Sequence, residues 1–275
     1  MNLLEVLRRA TGYLDQHGSS SARLDAELLL AQSLDVRRLD LYLQFERPMA
    51  EGELAPYRKL VSRRAKGAPV AYLLGHKEFM NLDFEVSPEV LVPNPDTETL
   101  VERAVSWARA RGGEVRVADI GTGSGCIAVA VAHYVPEARV LATDDDEAAL
   151  EVAARNVARH ELGPRITLER GDLLEPLTDP VDLICANLPY VDEAAELPPE
   201  VLAQPRHALF AADAGVALVR RLLEEAPARL RPQGAVLAEI DPRQQQALLP
   251  ALEGYAGHRF HRDVGGLVRV VEAWT

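Results

Sequence analysis

Cysteine is almost missing from this chain: Cys126 and Cys185 are the two among 275 residues, and each lies within an apolar stretch of helix or strand length. A disulfide framework or a cysteine-rich metal site therefore has no residues to build it, and both side chains read as small apolar fillers. Long hydrophobic runs are absent too: none approaches the ~18 residues that span a bilayer, which excludes a membrane-inserted chain. The opening Met1-Asn2-Leu3-Leu4-Glu5-Val6-Leu7-Arg8-Arg9 lacks the basic start and apolar core of a secretory signal, so a cytoplasmic location is expected. Positive charge is scarce, with 30 Lys+Arg against 42 Asp+Glu and a net charge of −12. A chain this acidic repels a phosphate backbone, because non-specific nucleic-acid affinity comes from cationic side chains that release counterions. Nucleic acid is therefore an unfavoured partner. The deficit is uneven: residues 1–70 hold 11 Lys+Arg against 9 Asp+Glu, and the remainder holds 19 against 33.

What is present divides the chain. A length of 275 residues suits one large α/β domain and one small domain. Leu24, Leu28, Leu29, Ala31 and Leu34 fall at helical spacing behind Ser19-Ser20-Ser21, which suit helix caps. A further helix is expected over 54–66, with Pro48 as the break before it, so residues 1–70 read as a small helical domain. Between 71 and 96 the pattern changes to Glu78-Phe79-Met80 and Leu82-Asp83-Phe84-Glu85-Val86, a hairpin linker. Pro93 and Pro95 with Asp96-Thr97-Glu98 then start a helix that Gly112-Gly113 stops.

From residue 97 to the end, apolar strand-length runs alternate with helical stretches: 115–120, 127–134, 139–143, 148–160, 166–169 and 181–186. Such alternation implies crossover connections and a parallel sheet covered on both faces. Helices near 215–230 and 243–252 flank a strand at 235–240. The last two strands, 258–262 and 267–273, are separated by Asp263-Val264-Gly265-Gly266, too short for a crossover, so they pair antiparallel. The expected fold is α/β: a mostly parallel Rossmann-like sheet with an antiparallel C-terminal strand, beside the small helical domain and its hairpin.

Strand 115–120 runs into Gly121-Thr122-Gly123-Ser124-Gly125 and then a helix, which places backbone N–H groups at the carboxyl end of the sheet, a natural ligand position. Glycines serving turn geometry alone are the plain alternative. Asp144 ends the next strand, 23 residues after Gly121, near the ~20-residue offset at which an acid reaches a ribose hydroxyl. A nicotinamide dinucleotide would use the same acid. The glycine order, with Asp119 two residues ahead, departs from Gly-x-Gly-x-x-Gly and resembles instead the turn of class I methyltransferases, whose sheet also ends in an antiparallel strand. That resemblance implies S-adenosylmethionine as cofactor, held by Asp119, Gly121, Thr122, Gly123, Ser124, Gly125 and Asp144. It also implies Asp172 on the adenine amine and Leu173 against the ring.

After strand 181–186 comes Asn187-Leu188-Pro189-Tyr190, which resembles the Asn-Pro-Pro-Tyr motif of enzymes that methylate a planar amide or amine nitrogen. An amide nitrogen is a poor nucleophile because its lone pair is delocalised. A site must hold its N–H groups by acceptors and aim it at the methyl. The Asn187 side-chain oxygen, also placed at the cofactor, and the Leu188 carbonyl suit that task, Pro189 turns the loop and Tyr190 offers an aromatic wall. No metal, general-base histidine or covalent nucleophile is required.

The resemblance extends over nearly the whole chain. Asp25 to Ala31, Arg64-Ala65 with Gly67, Pro69 to Leu73, Gly75, Glu78-Phe79, Val90 to Pro93 and Pro95 to Glu98 are similar to the release factor glutamine methyltransferases. Pro205, Ala208 to Phe210, Gly215, Glu239-Ile240, Asp263, Gly266 and Arg269 agree. The family implies transfer of a methyl group to the glutamine of the Gly-Gly-Gln motif in peptide-chain release factors, leaving S-adenosylhomocysteine, with residues 1–70 recognising the substrate. Four residues depart from it: Leu188 replaces a usual Pro, Asn94 a usual Arg, Ala214 a usual Asp and Asp241 a usual Gly. Losing the fixed φ of proline at 188 is expected to loosen the loop. Two alternatives remain: a methyltransferase for an exocyclic amine of DNA or RNA, which would need a basic surface, and a catalytically silent binding module.

Overall fold

The computed structural model describes all residues from 1 to 275. It separates into two compact units, residues 1–76 with 197–203, and residues 77–196 with 204–275.

The first unit is helical. Helices α1 (Leu3–Gln16), α2 (Ala22–Leu34), α3 (Arg38–Tyr42), α4 (Glu51–Ala65) and α5 (Val70–Leu74) bury Leu3, Leu14, Leu29, Leu30, Leu41 and Tyr57 in one core. Asn2 and Glu5 form a reciprocal cap at the start of α1. The serines before α2 do not cap it. Ser19 and Ser21 donate instead to the Asp25 carboxylate, at 2.7 and 2.8 Å, and Arg64 from α4 binds the same group at 2.7 Å. A buried carboxylate needs donors on both oxygens, and this demand outranks the cap. Arg64 also pairs with Glu200, from the segment 197–203 of the same unit.

A hairpin follows, β1 (His76–Phe79) and β2 (Leu82–Glu85). Met80 and Asn81 join the strands with φ of 51° and 57°, the two left-handed residues of a tight turn whose twist matches the strands. Phe79 and Phe84 are buried against each other, with ring centroids 6.1 Å apart.

The second unit is a seven-stranded sheet. After α6 (Pro95–Arg111) come β3 (Val115–Ile120), α7 (Cys126–Tyr134), β4 (Ala138–Asp144), α8 (Glu147–Arg159), β5 (Ile166–Arg170) and β6 (Val181–Ala186). The short strands β7 (Val191–Asp192) and β8 (Phe210–Ala211) pair in parallel, and α9 (Pro199–Leu202) lies between them in sequence. Next follow α10 (Ala217–Glu225), β9 (Leu230–Glu239), α11 (Gln245–Leu248), β10 (Gly257–Arg262) and β11 (Val268–Trp274). The sheet order is β10-β11-β9-β6-β3-β4-β5. Five strands run parallel, and β11 is antiparallel to both β9 and β10. The mostly parallel sheet with its antiparallel C-terminal end is thus the architecture expected from alternating strand and helix runs. All six residues of β6 are buried because helices cover both faces. One core gathers α6, α7 and Val157 of α8, and the other gathers α10 with Leu174, Leu177 and Leu248.

Two expected helices are shorter than their apolar spacing suggests. The one over 215–230 is α-helical only to Glu225, and residues 226–229 tighten to a 3-10 turn at Pro227. The one over 243–252 breaks into 3-10 turns around α11, with Pro242 and Pro250 at the two ends. Proline lacks the N–H an α-helix needs and restricts the residue before it.

Candidate active site

At the carboxyl ends of β3, β4 and β6 a cleft of about 970 Å³, including its open mouth, lies against the glycine turn. It is bounded by Gly121 to Ser124, Asp144, Gly171 to Leu173, Asn187 to Pro189, Thr97 and the segment from Glu89 to Asn94.

The turn is built from below by Asp119. Its Oδ2 accepts from the Thr122 hydroxyl at 2.6 Å and from the Ala128 N–H at 3.0 Å, in the first turn of α7. Asp119 is fully buried and Oδ1 has no partner, so desolvation pushes its carboxyl up to about 7. It braces the turn and does not border the cleft; neither does Gly125. Gly125 instead permits close packing on α8, since a Cβ there would lie 3.3 Å from Ala153. Gly121 has φ of 69°, and a Cβ there would come within 2.9 Å of Leu188 Cδ2.

Asp144 does border the cleft. Its Oδ2 accepts from the Gly123 N–H at 2.8 Å and its Oδ1 from the Asp146 N–H at 3.1 Å, which leaves lone pairs on both oxygens for a ligand. Burial raises its carboxyl above the usual range against those two bonds. Asp172 is exposed at the rim and paired with Arg221 at 2.6 Å, a contact its sequence position did not suggest. Leu173 is buried and holds a left-handed φ of 46°. Ile127, Ala149, Leu173 and Leu218 give the cleft an apolar wall suited to a flat ring.

On the other side of the cleft, β6 delivers Asn187. Its Nδ2 donates to the Thr97 hydroxyl at 2.9 Å, and no group in the chain donates to its Oδ1. Thr97 stands in the first turn of α6, which Asn94 caps by accepting from the Asp96 N–H. The residue that replaces the family's arginine therefore starts the helix that carries Thr97. Leu188 is held by packing. Its side chain is 4% exposed and packs into the core above Gly121. Tyr190 is not a wall of the cleft: its hydroxyl donates to Glu239 Oε1 at 2.9 Å, and its carbonyl accepts from Gln244 Nε2 at 2.9 Å. Asp241, the family's usual glycine, caps the 3-10 turn that carries Gln244. Ala214 lends its carbonyl to the same Gln244 amide at 3.4 Å.

Thr97 and the segment 89–94, which carry part of the family resemblance but were given no site role from sequence, join the cleft, and His207 reaches its edge beside Asp146 at 3.2 Å. No cluster of three or more His, Cys, Asp or Glu side chains is placed to hold a metal ion, and no helix is long and apolar enough to cross a membrane.

Family models match both parts of the chain: the PrmC N-terminal domain at residues 5–75 and the methyltransferase small domain at residues 97–210. A release factor glutamine methyltransferase of Geobacter sulfurreducens is 41% identical over 97% of this chain and 94% of its own length. One from Moorella thermoacetica is 40% identical over 100% and 99%. The chain belongs to the release factor glutamine methyltransferase family. Its fold is that of the class I methyltransferases, as similarity to solved structures also shows. A methyltransferase of Pyrococcus furiosus superposes with a TM-score of 0.54 at 24% identity, over 78% of this chain and 98% of that one. A Thermus thermophilus 16S rRNA methyltransferase, solved with AdoMet and guanosine, gives 0.54 at 19% over 73% and 49%.

Proposed function

We propose that this enzyme transfers a methyl group from S-adenosylmethionine to the side-chain amide nitrogen of the glutamine in the Gly-Gly-Gln motif of peptide-chain release factors. The observation that carries this reading is Asn187: its amide nitrogen is tied to Thr97 and its oxygen is left as a free acceptor beside the cleft.

The cleft fits the cofactor on its own features. Asp144 keeps lone pairs for ribose hydroxyls, and the apolar wall suits adenine. The resemblance assigns Asp172, at the rim, to the adenine amine, and here Arg221 pairs with it. S-adenosylmethionine, when bound, supplies an electrophilic methyl with its own leaving group. Asn187 Oδ1 and the Leu188 carbonyl accept the two N–H groups of the substrate amide and hold its nitrogen in line. One N–H proton leaves to solvent as the N–C bond forms, so no protein base is needed.

The division of labour follows the family: residues 1–70 recognise the folded release factor, 71–96 link, and 97–275 carry the chemistry in the cytoplasm. The net charge of −12 supports a protein substrate over nucleic acid. The test incubates a purified release factor with the enzyme and labelled S-adenosylmethionine, and locates the label by peptide mass spectrometry. Label on the glutamine of Gly-Gly-Gln supports the assignment; label confined to added DNA or RNA overturns it.

A further inference from the structure

Two segments far apart in sequence border the cleft without belonging to its sheet. Residues 89–94 run from the hairpin to the start of α6, and His207 and Ala208 belong to the 3-10 turn Arg206–Ala208. No strand pairing joins the two. One side chain does: Gln204 Oε1 accepts the Val92 N–H at 2.9 Å. Both residues lie in the second unit and both are half-buried. Gln204 itself is not a wall of the cleft.

The local sequence prepares this contact. Pro205 restricts the residue before it to extended backbone, and its own φ of −56° starts the turn that carries His207 and Ala208. That turn closes on itself: the Ala208 N–H donates to the Pro205 carbonyl and the Leu209 N–H to the Arg206 carbonyl, each at 3.1 Å. These backbone bonds stay within the turn and do not reach residues 89–94. Beyond the turn's start, His207 Nε2 lies 3.2 Å from Asp146 Oδ2, and the Asp146 N–H donates to Asp144, the acid that borders the cleft. Residues 204–208 therefore reach from Val92 to the neighbour of Asp144.

We infer that Gln204 is a positioning residue for the cofactor: by tying residues 204–208 to residues 89–94, it holds both at the separation that encloses S-adenosylmethionine. The inference rests on the cofactor reading given above. Ordering a loop on binding costs conformational entropy for each residue fixed, and a tie already made in the empty protein removes that cost from the binding step. Without the tie the Val92 N–H must turn to water, and the two segments part more readily to let the ligand leave. The loss of such a contact shows mainly in the dissociation rate. Position 204 must supply an acceptor of the right reach. Glutamate offers one at the same length, whereas methionine has the length and lacks the oxygen.

The experiment compares wild type, Gln204→Met and Gln204→Glu by the dissociation of labelled S-adenosylmethionine after dilution into excess unlabelled cofactor. Gln204→Met should release it roughly 5–10-fold faster, the scale of one net hydrogen bond. Gln204→Glu should release it at close to the wild-type rate. In the cofactor-free protein, the Val92 amide should exchange with deuterium faster in Gln204→Met than in wild type or Gln204→Glu. That readout depends on neither cofactor nor activity. Should Gln204→Met not fold, Gln204→Ala removes the same oxygen and carries the same expectations. Wild-type release from Gln204→Met, equal acceleration in Gln204→Met and Gln204→Glu, or equal Val92 exchange in all three proteins would overturn the inference. A wild-type protein that binds no S-adenosylmethionine would instead overturn the cofactor reading, before any variant is compared.

Discussion

Asp144 and Asp119 show how little an acid's position in sequence says about its task. Both end or nearly end a strand at the same edge of the sheet, yet Asp144 borders the cleft and Asp119 is sealed beneath the turn. Removing each should therefore have a different signature. Asp144→Ala deletes a carboxylate that borders the cleft and a brace for the Gly123 N–H. S-adenosylmethionine binding should weaken on the order of 1.5–3 kcal/mol, the value of a hydrogen bond to a charged group. A calorimetric titration with unchanged affinity would take Asp144 out of the site. The Asn187-Leu188-Pro189-Tyr190 motif after an apolar strand singled out Asn187 as a candidate acceptor, and in the structure its Nδ2 is tied to Thr97. The partners in this loop were not legible: Thr97 lies 90 residues earlier, and Tyr190 meets Glu239 across 49 residues. Nothing local marks such pairs, because only the packing of α6 on the sheet and the register of β6 with β9 bring them together. Tyr190 was misplaced for the same reason, since its aromatic character suggested a wall while its hydroxyl had a buried carboxylate to satisfy.

The strand–turn–helix element from Val115 to Tyr134 depends on a contact made by another loop. Leu188, where the family has proline, lies over Gly121, and a methyl group there would meet it at 2.9 Å in a left-handed backbone. Gly121→Ala should therefore cost stability through both strain and overlap, on the order of 1–3 kcal/mol, and lower cofactor affinity with it. A thermal melt and a titration that both match wild type would show that the two loops do not press on one another. Periodicity revealed the sheet strands and the final antiparallel pair because buried strands are continuous apolar runs. It overran the helices after 215 and 243, where Pro227 and Pro250 interrupt an apolar spacing that continues beyond them. It also missed the tie between Arg64 and Glu200 within the helical unit, since an ion pair between distant segments leaves no period.

For the molecule as a whole, two buried acids should make stability fall as pH rises. Asp119 rises from 3.8 to about 7 and Glu239 from 4.5 to about 7, both by burial. An acid with a raised folded pKa contributes stability that is fully present below its unfolded value and lost as pH rises through the folded one. The window is about pH 4–7. Asp241 and Asp263, held low by hydrogen bonds, oppose this only below their unfolded range near 3.8. Chemical denaturation should find the protein more stable at pH 5.5 than at pH 8, with the difference reduced in Asp119→Asn. The helical unit leaves Leu39 and Leu43 69% and 84% exposed, a pair suited to contact a folded partner. Replacing both by Glu should raise KM for the release factor several-fold and leave cofactor affinity alone; an unchanged KM would remove that face from recognition. The most direct measurement of the whole account is the initial rate at which wild type and Asn187→Ala methylate the Gly-Gly-Gln glutamine of an intact release factor, followed by mass spectrometry with cofactor binding measured alongside. Wild type should place one methyl on that amide, and Asn187→Ala should bind S-adenosylmethionine normally but transfer roughly 10²-fold more slowly, as for a lost transition-state contact. Equal rates for the two proteins would contradict it.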